Sequence, residues 1–171
     1  MARARFGGAA FGEQLLIAGG FEDFESDPVD STLLMDLTTG AWVQGPALTL
    51  GPRGDLAAVA TSGGVLAVGG YGPGFEMTST GTRVEMLRFG ATSWESRASM
   101  PTSRGDVTAA YHPGNAADFS EERVFVVGGW NDGTPRGAFQ SAVEMYLVKD
   151  DAWVKLPEMP RGKGDAALGV Q

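Results

Sequence analysis

An apolar run closed by two glycines and an aromatic occurs three times along this chain: Leu15-Leu-Ile-Ala-Gly19-Gly20-Phe21, Val65-Leu-Ala-Val-Gly69-Gly70-Tyr71 and Val124-Phe-Val-Val-Gly128-Gly129-Trp130. A recurrence at this interval constrains the architecture before any local propensity does, because every copy must fold as the same unit and bury its apolar surface on its neighbours. A tryptophan follows each glycine pair, 22 residues beyond Gly20 at Trp42 and 24 beyond Gly70 and Gly129 at Trp94 and Trp153. This half of the unit therefore keeps nearly constant length, and insertions fall elsewhere.

Ten residues before each tryptophan a third segment begins: Thr32-Leu-Leu-Met-Asp-Leu37, Val84-Glu-Met-Leu-Arg-Phe89 and Val143-Glu-Met-Tyr-Leu-Val148. These read as one strand seen three times. Residues 138–156 contain neither Gly nor Pro and taken alone permit a helix with Phe139, Val143, Tyr146 and Leu147 on one face. The equivalent stretch of the second copy carries Gly90 and a strand-like order of Val84, Met86 and Leu87, so a strand is expected in both.

Beyond the tryptophans the chain runs to Pro46, Met100-Pro101 and Met159-Pro160, and a further strand is expected at Arg53-Gly-Asp-Leu-Ala-Ala58, Arg104-Gly-Asp-Val-Thr-Ala109 and Lys163-Gly-Asp-Ala-Ala-Leu168. Arg5-Phe-Gly-Gly-Ala-Ala10 is read as its weaker counterpart near the amino end. From the aspartate of this strand to the glycine pair the second copy has 14 residues (Asp55 to Gly69) and the third 22 (Asp106 to Gly128). The extra length belongs to one hairpin loop, around His112-Pro-Gly-Asn-Ala-Ala-Asp118, where a sheet tolerates it.

Each unit is thus a basic residue, a strand, an apolar strand ending Gly-Gly-aromatic, a variable loop, a Val-Glu-x-Tyr-like strand, a tryptophan and a proline, preceded by Met in the second and third. This order resembles the kelch repeat over essentially the whole chain. The resemblance implies an all-β fold, a partial β-propeller of three four-stranded blades at residues 1–50, 51–101 and 102–160, with the first strand of a fourth at 161–171. The family's third-strand tyrosine is present as Tyr146 but is Met35 and Leu87 in the other units. Its glutamate is present as Glu85 and Glu144 but is Leu33 in the first, which marks that unit as the most divergent. Propellers have about four to eight blades, so three units leave three readings: part of a longer chain, a ring completed by a second copy, or an open arc.

Elementary chemistry gives reasons for these residue types. Gly19, Gly20, Gly69, Gly70, Gly128 and Gly129 suit a sharp turn or a close backbone approach, and Trp42, Trp94 and Trp153 offer large apolar area for the gaps between blades. The 26 glycines among 171 residues then report the repeat. A net charge of -8 has the wrong sign for neutralising phosphates, so nucleic acid is not an expected partner. No apolar run reaches the length of a membrane span, and Met1-Ala-Arg-Ala-Arg5 is followed by a glycine-rich stretch rather than the apolar core of a signal peptide. The lack of cysteine removes thiolate chemistry and leaves the compartment open, with a cytoplasmic one favoured.

Catalytic constellations are scarce. His112 is the single histidine and reads as a turn residue, which leaves no Ser-His-Asp triad and no His/Cys metal site. The acidic loop Glu22-Asp-Phe-Glu-Ser-Asp-Pro-Val-Asp30 clusters oxygens without the glycine turn of a calcium loop and reads as solvated. No cofactor and no metal are expected. Arg53-Gly-Asp55 and Arg104-Gly-Asp106 spell an adhesion tripeptide, yet both sit at the repeat position of Lys163-Gly-Asp165, so blade architecture accounts for them.

By resemblance, residues entering the first strand and the loops after Gly-Gly lie near one propeller face, where partners bind. Arg5, Arg53, Arg104 and Lys163 are therefore candidate partner-binding residues forming a basic ring, with blade-bridging as the structural alternative. Phe21, Tyr71 and Trp130 are candidate aromatic anchors, with packing beneath the loops as theirs. The loops differ completely between units, as recognition surfaces on rigid scaffolds do. A protein-interaction module is expected, with self-association to complete the propeller as a possibility. A kelch-like enzyme acting on a sugar or small molecule at the top face, or a substrate-recognition part of a ubiquitin ligase adaptor, is the alternative.

Overall fold

The computed structural model describes residues 2–23, 25–76, 79–114, 121–131, 138–165 and 168. The first four strands, β1 (Gly7–Phe11), β2 (Gln14–Ala18), β3 (Thr32–Asp36) and β4 (Trp42–Gly45), form one antiparallel sheet in the order β1-β2-β3-β4. The next four, β5 (Ala57–Ala60), β6 (Gly64–Val68), β7 (Val84–Arg88) and β8 (Glu95–Ser96), repeat that order. The third sheet is built from β9 (Thr108–His112) and β10 (Arg123–Val127), then, beyond a short ribbon of β11 (Trp130–Asn131) and β12 (Ala138–Phe139), from β13 (Val143–Leu147) and β14 (Ala152–Leu156). The chain is a partial β-propeller of three four-stranded blades. Residues 138–156 are strands, and the helix they permit in isolation is overridden by pairing of β13 to both β10 and β14.

Alternation along the strands sets the packing, because successive side chains point to opposite faces. One cluster, including Ala9, Leu16, Ala18, Val65, Ala67, Leu87 and Trp94, joins the first and second sheets. Another, including Leu66, Val68, Val84, Met86, Val124, Val126 and Tyr146, joins the second and third. The middle strand β6 is buried along its whole length, since both its faces are covered, which explains why Gly64-Val-Leu-Ala-Val68 has no polar residue.

Pairing of Ala18, Val68 and Val127 with Gly7, Ala57 and Thr108 aligns the first strands of the units. Isolated bridges Ala4 to Phe21, Gly54 to Tyr71 and Gly105 to Trp130 extend the alignment. The counterpart of Arg53 and Arg104 is therefore Arg3, and Arg5 takes the position of Asp55 and Asp106, a correction of two residues to the alignment drawn from Arg5. The backbone agrees: Arg5, Asp55, Asp106 and Asp165 all have positive φ, at 54°, 54°, 50° and 49°. Of the strand expected at 161–171, the lead-in Lys163-Gly164-Asp165 is described and residues 166, 167 and 169–171 lie outside the described residues.

The glycine pairs meet both expectations placed on them. All six have positive φ, and the second of each pair passes close to a carbonyl of the strand lead-in. A Cβ on Gly70 would stand 2.6 Å from the Gly54 oxygen, and one on Gly20 2.6 Å from that of Ala4. The same glycines stitch unit to unit, as Gly20 N–H donates to the Arg53 carbonyl (2.8 Å), Gly70 N–H to that of Arg104 (3.2 Å) and Gly129 N–H to that of Lys163 (2.7 Å).

Candidate functional site

Arg53 and Arg104 do not form an exposed basic ring, for both are fully buried. Arg53 Nη2 lies 2.6 Å from Glu85 Oε1 while its Nη1 donates to the carbonyls of Gly69 (3.0 Å) and Arg83 (2.9 Å). Glu85 Oε2 in turn accepts the backbone N–H groups of Thr49 (2.8 Å) and Leu50 (3.0 Å), so the pair clamps the crossing from the first unit to the second. Arg104 pairs with Glu144 at 3.0 Å, and Glu144 accepts from the Thr102 hydroxyl at 2.7 Å. Burial lowers the Arg53 pKa to about 10, with the Glu85 charge opposing, so the guanidinium stays protonated at neutral pH.

In the first unit Arg3 fills this position. It donates to the Ser31 carbonyl and hydroxyl, and meets Glu22 at 3.6 Å, because Leu33 stands where the other units have glutamate. Lys163 is exposed. The adhesion tripeptide is not displayed, since its arginine is buried in both copies.

The residue two positions on faces the propeller axis. Arg5, Asp55, Asp106 and Asp165 converge on a cleft of about 270 Å3. Backbone bonds run across it from Asp55 N–H to the Arg5 carbonyl (2.7 Å) and from Asp106 N–H to that of Asp55 (3.0 Å). Non-glycine residues with positive φ are uncommon, and aspartate tolerates that region better than arginine does. Arg5 Nη1 is 3.1 Å from Asp55 Oδ2, and the Arg5 pKa is raised, chiefly by Asp55 with Asp106 and Asp165 contributing. The Asp55 carboxyl is pushed up to about 7, first by burial and then by the Asp106 charge, against the pull of Arg5.

A second cleft of about 380 Å3 adjoins the first and shares Arg5, Asp106 and Asp165 with it. Its remaining walls are aromatic: Tyr71, Phe75, Trp130 and Phe139. Of the three candidate anchors, Phe21 and Tyr71 are buried and Trp130 half-buried. Tyr71 donates its hydroxyl to Asp106 Oδ2 at 2.6 Å. The exposed rings of this cleft are two that sequence reasoning did not name as anchors, Phe75 (52% exposed) and Phe139 (56%). Phe75 stacks on Phe21 at 5.8 Å between centroids, and Phe139 meets Trp130 edge-on at 4.9 Å. Both lie in the loops after Gly-Gly, each the lone aromatic there beyond the repeat's own, which was the one available signal.

The other singled-out residues have local roles. His112 Nδ1 accepts the Gly114 N–H at 2.9 Å within its turn; Asp118 and its neighbours 115–120 lie outside the described residues. In the acidic loop Asp23 accepts from the Glu25 N–H and Asp27 from the Gly74 N–H of the next unit's loop. Among the described residues no group of three or more His, Asp or Glu side chains is arranged to hold a metal ion, and no helix is long and apolar enough to cross a membrane.

The tryptophans divide. Trp94 Nε1 donates to the Pro46 carbonyl (3.0 Å) and Trp153 Nε1 to that of Ala98 (2.8 Å), each anchoring its blade on the preceding one. Trp42, expected to fill the same gap, is 47% exposed, because among the described residues no blade packs against the face it shares with Leu15, Leu33 and Met35.

Comparison with known families gives a match to the Kelch motif model at residues 2–49 and 113–160, more than half of the chain. The matched stretches include the first unit, whose Leu33 and Met35 depart from the repeat pattern. No curated protein matches the chain.

Proposed function

Because the chain belongs to the kelch-repeat family, we propose that it recognises a protein partner through the loop face around its axial cleft, without turnover. Kelch-repeat domains are generally protein-interaction modules. The observation that carries the reading is the pair of exposed rings, Phe75 and Phe139, held on either side of one cleft by packing on Phe21 and Trp130. Rigid aromatic rings at the centre of a surface are the commonest carriers of binding energy. The test is partner capture by the wild-type chain and by a Phe75→Ser/Phe139→Ser variant. Each ring is more than half exposed, so the variant still unfolds cooperatively and loses the partner; retention of the partner refutes the reading.

Self-association is a second reading, favoured by one observation. The face carrying Leu15, Leu33, Met35 and Trp42 is the counterpart of the faces by which the second and third blades pack on their predecessors, and no described residues of the chain cover it. Phe125, Val127, Val143 and Met145, half-buried on the far side of the third blade, are the complementary surface. A second copy would bring these together head to tail. Lys163–Asp165 of one copy and Arg3–Arg5 of the other occupy the same repeat position, so each junction seats only one of them. Sedimentation velocity tests this: a Leu33→Lys variant stays monomeric at concentrations where the wild type pairs, and a wild type that is monomeric throughout rules pairing out.

A further inference from the structure

We propose that the aromatic-walled axial cleft receives a basic side chain, lysine or arginine, of the partner. The inference rests on the protein-recognition reading and names the chemistry of what is recognised.

The cleft is large enough for an extended side chain, and four rings wall it. Aromatic faces attract cations, most strongly where water is displaced. The charges within reach have the complementary sign. Asp106 and Asp165 line the aromatic cleft, Asp55 lies just beyond, and the only cation among these lining residues, Arg5, is engaged with Asp55 at 3.1 Å. That leaves two carboxylates beside four rings. An acidic or phosphorylated ligand would meet those carboxylates, and Arg53 and Arg104 are buried in ion pairs with Glu85 and Glu144. The Asp55 carboxyl is raised first by burial and then by the Asp106 charge, so negative charge is part of what acts on this site.

The test titrates a Gly-Ser-Gly-Arg-Gly-Ser-Gly peptide, and counterparts with Lys, Glu or Ala in place of Arg, into the full chain, following the indole N–H resonance of Trp130. The Arg and Lys peptides shift it saturably while the Glu and Ala peptides do not. An Asp106→Asn/Asp165→Asn variant binds the basic peptides about tenfold more weakly. Because Asp106 also accepts from Tyr71, the exposed Asp165→Asn change is measured alone and gives an intermediate loss. Equal shifts with the Ala peptide, preference for the Glu peptide, stronger response to a neutral oligosaccharide, or no effect of either variant overturns the inference. A partner lost by the Phe75→Ser/Phe139→Ser variant but bound equally by Asp165→Asn refutes the basic-side-chain assignment alone and leaves protein recognition standing.

Discussion

Arg53 and Glu85 form an ion pair of 2.6 Å in which neither side chain is exposed, and the pair has a counterpart one unit on in Arg104 and Glu144. Their recurrence follows from architecture. Where one blade crosses to the next, backbone N–H and C=O groups are left without a strand partner, and a buried guanidinium and carboxylate satisfy them. Removing one member strands the other as an unpaired buried charge, which costs about 3–5 kcal/mol. Arg53→Ala and Glu85→Ala are each expected to lower the urea midpoint by a corresponding amount. The double variant Arg53→Met/Glu85→Leu recovers part of that loss, as urea titrations of the three variants will show.

Trp94 and Trp42 occupy equivalent positions with opposite burial, 2% against 47%. Trp94→Ala opens a cavity between blades and costs about 3–5 kcal/mol. Trp42→Ala leaves the stability of the single chain within about 1 kcal/mol of wild type, because among the described residues no blade packs against the ring. Denaturant melts of the two variants at low protein concentration check the contrast.

The units themselves were legible because Gly-Gly, the tryptophan and the third strand recur at near-constant spacing, and alignment with the second copy, which carries Gly90, favoured a strand over the helix at 138–156. The phase of the first unit was not. Arg5-Phe-Gly-Gly-Ala-Ala matches Arg53-Gly-Asp-Leu-Ala-Ala by its leading arginine, whereas the bridge from Ala4 to Phe21 shows that Arg3 holds that place. Composition could not distinguish a buried arginine from an exposed one, since burial depends on Glu85 and Glu144 arriving from another strand. Phe75 and Phe139 were missed as site residues for a different reason: Phe75 lies in a loop without periodicity, Phe139 was read only for the secondary structure of its segment, and only the fold brings them to one cleft.

Asp55 imposes a pH dependence with a definite sign. Its carboxyl titrates near 7 in the folded chain and about 3.9 in an unfolded one. Between those values the folded state binds the extra proton. The contribution to stability is therefore fully present below pH ~4 and is lost as pH rises through 7. Asp55→Asn, which cannot ionise, removes that part of the pH dependence. The gap between its melting temperature and that of the wild type is expected to move in its favour from pH 4.5 to pH 8, and an unchanging gap would show that Asp55 titrates normally.

Gly70 and Gly90 both have positive φ, yet only Gly70 faces another backbone. Gly90→Ala costs about 1 kcal/mol for the strained conformation alone. Gly70→Ala adds the collision with the Gly54 carbonyl and costs more than that, displacing the lead-in of the second blade. Paired urea titrations measure the difference.

The central claim is that recognition belongs to the loop face around the axis while the repeat's arginines hold the blades together. Hydrogen–deuterium exchange of the chain with and without its captured partner tests it most directly. The account predicts new protection at residues 71–76 and 138–141 and at the backbone of Asp106. Protection confined to the opposite rim, where Phe11 stacks on Phe89 at 4.9 Å, would contradict it.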